Sequence, residues 1–204
     1  MSFILPIGAK AVDFTLTAND DRVYAYSDLK GSRGTLIFFT CNHCPHVMGS
    51  EDRMQALNKK CESLGISMVA IHSNETVDHP EDHFDLVKTR MIEKGFTWIA
   101  LDDNAQKVAR QFGAERTPHY FLFDDKDNLV YRGRMDNSPR DINKAITHEL
   151  EDAIQEMLAG SPVTLAETAA VGCNIKWWGK DKHWMPADAC DLDYLDVYTP
   201  AKKN

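Results

Sequence analysis

Apolar and polar positions are spaced in three ways along the chain, and each predicts a kind of element. Val12, Phe14 and Leu16 alternate with polar residues, as in a strand buried on one face. Asn19, Asp20 and Asp21 make a turn, and Val23, Tyr24 and Tyr26 a returning strand, so the chain opens on a β-hairpin. Residues 34–40 read GTLIFFT and residues 66–71 read ISMVAI. Such short unbroken apolar runs predict central strands covered on both faces. Between them Val47, Met54, Leu57, Cys61 and Leu64 recur at helical spacing, with Gly65 as the stop.

The same reading continues downstream. Pro80 is expected in the first turn of a helix whose stripe is Phe84, Val87 and Met91 and which Gly95 closes. Residues 98–101 form a short strand, and Ala105, Val108, Ala109 and Phe112 line a short helix that ends at Gly113. Residues 119–123 (HYFLF) and 129–131 pair as a hairpin around DDKDN. The last helix is expected to start at Ser138 as N-cap and Pro139 at the first position, with a stripe of Ile142, Ile146, Leu150, Ile154 and Met157 and a stop at Gly160. Strands alternating with helices, then a hairpin and a final helix, imply an α/β fold: a central mixed β-sheet flanked by helices, preceded by the N-terminal hairpin.

Composition then divides the chain. Residues 1–160 form the expected domain. Residues 161–204 are a C-terminal extension holding three of the four tryptophans (Trp177, Trp178, Trp184) and the acidic run from Asp188 to Asp196. So aromatic a segment is expected to pack on the body or on a partner chain, which in the second case makes a homodimer. With 31 acidic against 23 basic residues the net charge is -8, which argues against nucleic acid as a partner. No apolar run reaches the ~18 residues of a membrane span. The first ten residues lack the basic and apolar regions of a signal peptide, so a cytoplasmic location is expected.

Five cysteines remain: Cys41, Cys44, Cys61, Cys173 and Cys190. Cys41-Asn42-His43-Cys44-Pro45 lies between a buried strand and an amphipathic helix. A cysteine there sits at the C-terminal end of a sheet strand and near a helix N-terminus, which stabilises a thiolate. The spacing brings the second sulfur within disulfide reach, so Cys41 is the expected nucleophile and Cys44 the resolving thiol. Cys61 falls on a core stripe. Cys173 is either an extra redox thiol or an anchor of the extension. Cys190 lies among acids, which raise a thiol pKa and argue against a redox role.

The segment Ile7-Gly8 with Asp13-Phe14-Thr15-Leu16, the CNHCP loop, and Thr117-Pro118 before HYFLF resemble the thioredoxin-like superfamily, in its redoxin branch of alkyl hydroperoxide reductase and thiol-specific antioxidant proteins. Gly172-Cys173-Asn174-Ile175-Lys176-Trp177 resembles a C-terminal motif of bacterial thioredoxin-like proteins that carry CNHCP. The resemblance implies a thioredoxin-like fold and a thiol–disulfide oxidoreductase without cofactor or metal, acting on protein or small-molecule disulfides. It also implies a cis Thr117–Pro118 bond and, with Thr40, a substrate position whose Thr117 backbone is open to an extended peptide. Thr40 stands where thioredoxin has tryptophan, and the strand before Cys41 lacks thioredoxin's buried acid. His43 precedes the second cysteine, as in the oxidant DsbA, and by analogy is expected to support the Cys41 thiolate and make the pair more oxidising than thioredoxin. Arg116 is read either as an orienting group for a substrate anion or as a surface ion pair.

Two other functions compete. A peroxiredoxin-like peroxidase would carry Thr three residues before its reactive cysteine, whereas Phe38 and Cys41 occupy those positions and no proline lies between Arg22 and Cys44. A copper- or zinc-binding thioredoxin-fold module could use Cys41, Cys44 and His46 or His43, with His119 or Cys173 as a distant ligand.

Overall fold

A computed structural model of the chain describes residues 4–179. Trp184, Cys190 and the acidic run lie outside the described residues. The strands are β1 (Thr15–Ala18), β2 (Val23–Ala25), β3 (Gly34–Thr40), β4 (Ile66–His72), β5 (Ile99–Asp102), β6 (Arg116–Thr117), β7 (His119–Asp124), β8 (Leu129–Gly133) and β9 (Cys173–Asn174). The helices are α1 (Pro45–Met48), α2 (Glu51–Ser63), α3 (Phe84–Lys94), α4 (Lys107–Phe112) and α5 (Glu149–Leu158). Seven strands form one mixed sheet in the order β2-β1-β5-β4-β3-β7-β8, and β6 pairs with β9 apart from it. β3 runs parallel to β4 and antiparallel to β7, and β4 runs parallel to β5.

The unbroken apolar runs are explained by two cores. Leu36 and Phe38 of β3 face one core with Met54, Leu57 and Cys61 of α2, Val87 and Met91 of α3, and Leu150 and Ile154 of α5. Ile37 and Phe39 face the other with Val108, Ala109 and Phe112 of α4, and Phe14 and Tyr26 from the N-terminal region. Successive strand residues point to opposite faces, so a strand covered twice shows no polar alternation. The sheet therefore holds the C-terminal end of β3, and Cys41 after it, between two packed layers.

Three local expectations are corrected. The helix after Cys44 is broken between α1 and α2. Ser50 Oγ donates to the carbonyls of His46 (2.8 Å) and Val47 (3.1 Å), drawing that backbone out of the regular ladder. Gly49 packs there on the Pro139–Arg140 backbone, so closely that a Cβ would lie 2.8 Å from Arg140 Cα. Pro80 begins only a 3₁₀ turn, Pro80–Asp82, and α3 starts at Phe84. The turn is held apart because Asp82 accepts from the Asn42 N–H and the Asn74 amide, both at 2.7 Å.

The last helix starts at Glu149, so Ser138 and Pro139 are not its cap. Ile142 and Ile146 stay exposed, at 51% and 82%. The segment between is captured by its own side chains. Asp136 accepts from the Ser138 N–H, and Asn137 Oδ1 accepts from the N–H groups of Ile146 (2.9 Å) and Thr147 (3.1 Å). Backbone donors engaged in this way cannot enter a helix.

Beyond α5 the described part of the extension runs along the body. Thr168 Oγ1 accepts from the Arg134 N–H, Val171 and Ile175 are buried, and the Ile175 N–H donates to the Glu115 carbonyl at 3.0 Å. Trp177 lies against the Arg110 guanidinium, 4.7 Å from its ring centre, and the Trp178 indole donates to the Asn104 carbonyl.

Candidate redox site

Cys41 follows the last residue of β3, and Cys44 is the residue before α1, with Pro45 at the first helical position. Proline is tolerated there because its missing N–H would have no helical partner. Both cysteines are buried, at 3% and 0% exposure, and carry reduced thiols. Thr117, in the cis Thr117–Pro118 pair before β7, touches both sulfurs. Its Oγ1 lies 3.2 Å from Cys41 Sγ, and its carbonyl accepts the S–H of Cys44 at 3.0 Å. Cys41, Thr40 and Val47 also line a narrow cleft with Met54, Val87 and Trp98. Thus Thr40, Cys41, Cys44, Thr117 and Pro118 come together at one end of the sheet.

His43 stands close to Cys41 and is hydrogen-bonded to an acid. Its Nδ1 is 2.7 Å from Asp82 Oδ2, and its ring stacks on His79 with centroids 4.9 Å apart. Burial acts against the imidazolium, but the hydrogen bond and charge of Asp82 outweigh it and raise the His43 pKa. Asp82 is buried, which opposes its ionisation, yet His43, Asn74 and the Asn42 N–H hold its carboxyl below the usual range. The imidazolium is thereby paired with Asp82 while it lies within 4.8 Å of Cys41 Sγ.

An acid reaches the loop from elsewhere in the chain: Asp82. It comes from the turn before α3 and groups with Cys41 and His43, their ligand atoms within 4.8 Å of one another. A lone aspartate in a PED turn gives no sequence signal of this placement. His46 carries an equally weak sequence signal. It is 2% exposed, with Nδ1 3.8 Å from Cys44 Sγ and 3.8 Å from Cys173 Sγ, while its Nε2 is buried with no hydrogen-bond partner among the described residues. A histidine two residues after the second cysteine lands on the sulfur because α1 starts at Pro45 and turns it inward.

The two thiols ionise as a pair. For Cys41, burial, the hydrogen bond shared with Cys44 and the nearby Asp82 charge all push the pKa up, against Thr117. For Cys44, burial opposes ionisation but hydrogen bonds from Cys173, Cys41 and His46, and the charge of His46, bring the pKa down. The first negative charge therefore favours Cys44, while Cys41 is the sulfur on the cleft.

Three other groups sit where their chemistry is quiet. Cys61 is fully buried in the first core, and burial pushes its thiol up to about 12. His119 is buried, its Nδ1 accepts from the Glu115 N–H, and burial keeps it neutral with a pKa near 3. It belongs to none of the potential metal-ligand groups among the described residues. Arg116 does not lie at the surface. It is buried, and its guanidinium donates to the Gly172 carbonyl (3.2 Å) and Asn174 Oδ1 (2.7 Å).

The edge of Thr117 is not open either. β6 and β9 pair antiparallel in the register Arg116–Asn174 and Thr117–Cys173. The chain's own residues fill the place expected for an extended peptide.

Comparison with known proteins agrees with this architecture. No curated protein matches the chain. An uncharacterised conserved protein from Geobacillus kaustophilus is 34% identical over 88% of this chain and 96% of its own, with a TM-score of 0.81. A hypothetical protein from Sinorhizobium meliloti is 30% identical over 88% of this chain and 98% of its own, also with a TM-score of 0.81. A thioredoxin-family thiol:disulfide interchange protein from Chlorobium tepidum shares the fold at 18% identity, over 74% of this chain and 97% of its own, with a TM-score of 0.57. The Redoxin family model matches residues 6–148, which include the β3–α1 junction and the Thr117–Pro118 pair. With two thiols buried at that junction, the match gives the chain a thiol-based redox function and a family: it belongs to the redoxins.

Proposed function

We propose that the protein is a thiol–disulfide oxidoreductase that cycles Cys41 and Cys44 between dithiol and disulfide, acting on protein or small-molecule disulfides. The observation that carries this reading is the shared contact of both sulfurs with Thr117, with Cys41 alone of the two lining the cleft. Cys41 passes its proton to the Cys44 thiolate beside it, and Cys41 Sγ attacks one sulfur of an incoming disulfide. That S–S bond breaks, and the departing sulfur leaves as a thiolate and takes a proton. The Cys44 thiolate then attacks Cys41 Sγ and expels the second partner sulfur, so two electrons pass to the partner. His46 Nδ1, 3.8 Å from Cys44 Sγ, is placed to accept the proton of the resolving thiol. The Cys44→Ser variant should trap a mixed disulfide at Cys41 in cell extract. If Cys41 traps nothing and the wild-type pair forms no reversible disulfide in a glutathione buffer, this reading fails.

A second reading has its own observation. Cys44 Sγ, His46 Nδ1 and Cys173 Sγ lie within 4.8 Å of one another, close to the spacing of ligands around Cu(I) or Zn. Metal retained by protein purified under reducing conditions, and lost in Cys173→Ser, would favour a metal-binding module.

A further inference from the structure

The thiol-exchange reading accounts for Cys41 and Cys44 but leaves Cys173 and the strand that carries it unused. β9 lies against β6 so that Cys173 faces Thr117 across the pair. This is the edge that an extended substrate would take by strand addition. The fit is close and specific. A Cβ on Gly172 would lie 2.1 Å from the Thr117 carbonyl oxygen, so only glycine allows the approach. Arg116 holds both flanks of Cys173, through the Gly172 carbonyl and the Asn174 side chain. The sulfur thus arrives beside Cys44, within 4.8 Å, with His46 Nδ1 3.8 Å from each. Closing a disulfide from there requires the two sulfurs to approach to about 2.0 Å.

We propose, resting on the exchange reading above, that Cys173 is a third redox thiol delivered in cis to the substrate edge. It takes Cys44 from the Cys41–Cys44 disulfide. His46 Nδ1 accepts the Cys173 proton, and the Cys173 thiolate attacks Cys44 Sγ. The Cys41–Cys44 bond breaks, and the Cys44–Cys173 bond forms. Cys41 leaves as a thiolate and recovers a proton from the imidazolium or from solvent. The exchange is an isomerisation: one disulfide and one thiol enter, and one of each leaves, with no outside oxidant. Its result is an oxidised protein whose cleft-lining thiol, Cys41, is reduced again.

The test is disulfide mapping of the full chain, oxidised with glutathione disulfide, quenched in acid, alkylated and digested without reduction. Wild type is expected to yield both Cys41–Cys44 and Cys44–Cys173 linkages. Cys41→Ser should convert mainly to Cys44–Cys173, and Cys173→Ser only to Cys41–Cys44. Gly172→Ala, which pushes β9 off the Thr117 edge, should lower the Cys44–Cys173 yield by about tenfold or more and leave Cys41–Cys44 intact, as loss of a high effective concentration requires. If Cys41–Cys44 forms in wild type while Cys44–Cys173 is absent from wild type and Cys41→Ser alike, the inference is overturned and the exchange reading stands. If Cys41→Ser does not fold, the wild-type map alone decides. Absence of Cys41–Cys44 from both wild type and Cys173→Ser overturns the exchange reading itself.

Discussion

Cys41 and Cys44 sit in one short loop, yet their surroundings are opposite in character. Cys41 has the Asp82 carboxylate near it and a cleft beside it. Cys44 has no opening, and it has His46 and a third sulfur as neighbours. An acid near one sulfur and a base near the other push a shared negative charge toward Cys44. In the exchange cycle proposed above, the two halves then fall to different sulfurs: the one that meets a partner from the cleft, and the one that holds the charge and ends the reaction.

Four substitutions test that contrast, beginning with the largest effect. Cys44→Ser removes the charge-holding side. Turnover with a disulfide substrate should fall by more than about 100-fold while mixed disulfide accumulates at Cys41, the expected mark of an exchange intermediate without its resolving thiol. His46→Asn takes away the base and keeps the cysteines. Release of the mixed disulfide should slow by about 100-fold, the lower end of the usual range for loss of one general base, with the first attack little changed. Equal slowing of both steps would show that His46 does not serve the Cys44 side alone.

Asp82→Asn acts on the other side and should be milder, about threefold to tenfold in rate at neutral pH, as for loss of one nearby charge. Thiol alkylation against pH should shift toward lower pH, because the charge that holds Cys41 up is gone. Proton NMR should show the His43 pKa falling. The stabilisation shared by His43 and Asp82 follows the same signs. His43 is raised, so its part is complete below about 6.5, the usual histidine value, and is lost as pH rises through the higher folded value. Asp82 is lowered, so its part is complete above about 3.9, the usual aspartate value, and is lost as pH falls through the lower folded value. In Asp82→Asn both edges of that window should disappear from the stability profile.

Cys61→Ala gives the smallest change and calibrates the rest. The thiol is buried in the first core far up its pKa range, so redox behaviour should not move, and stability should drop by about 1 kcal/mol, the scale of a small core cavity.

The fold was legible where burial is written into residue type. GTLIFFT and HYFLF have no polar alternation because helices cover both faces of the sheet, and the CNHCP loop lies at the end of the first of them. The site was half legible. Asp82 approaches from 40 residues beyond Asn42, and only the three-dimensional turn of Pro80–Asp82 brings it to the loop. The burial of Arg116 is equally long-range in origin. A cation near a site suggests an anion, but this one is buried by carbonyl and amide partners brought by the extension. Ser138-Pro139 carries a sound local helix signal that Asp136 and Asn137 overrule by binding nearby backbone N–H groups. Propensity is decided locally, and these contacts were not.

Gln106 gives the extension a second tie. Its backbone is left-handed, with φ of 57°, and its buried amide donates to the carbonyls of Ser73 (2.7 Å) and Lys176 (2.6 Å) while its oxygen accepts from the Trp178 N–H. Asn74 accepts from the Lys176 N–H, and the Glu75 N–H donates to the Lys176 carbonyl. The chain is thus fastened just after Cys173, as Arg116 fastens it around that residue. A thiol tethered on so short a span behaves like a dissolved one at millimolar concentration or above. Any small thiol in solution must match that local abundance before it can compete for Cys44, so the fastening sets a threshold of cellular thiol below which the protein answers first to itself.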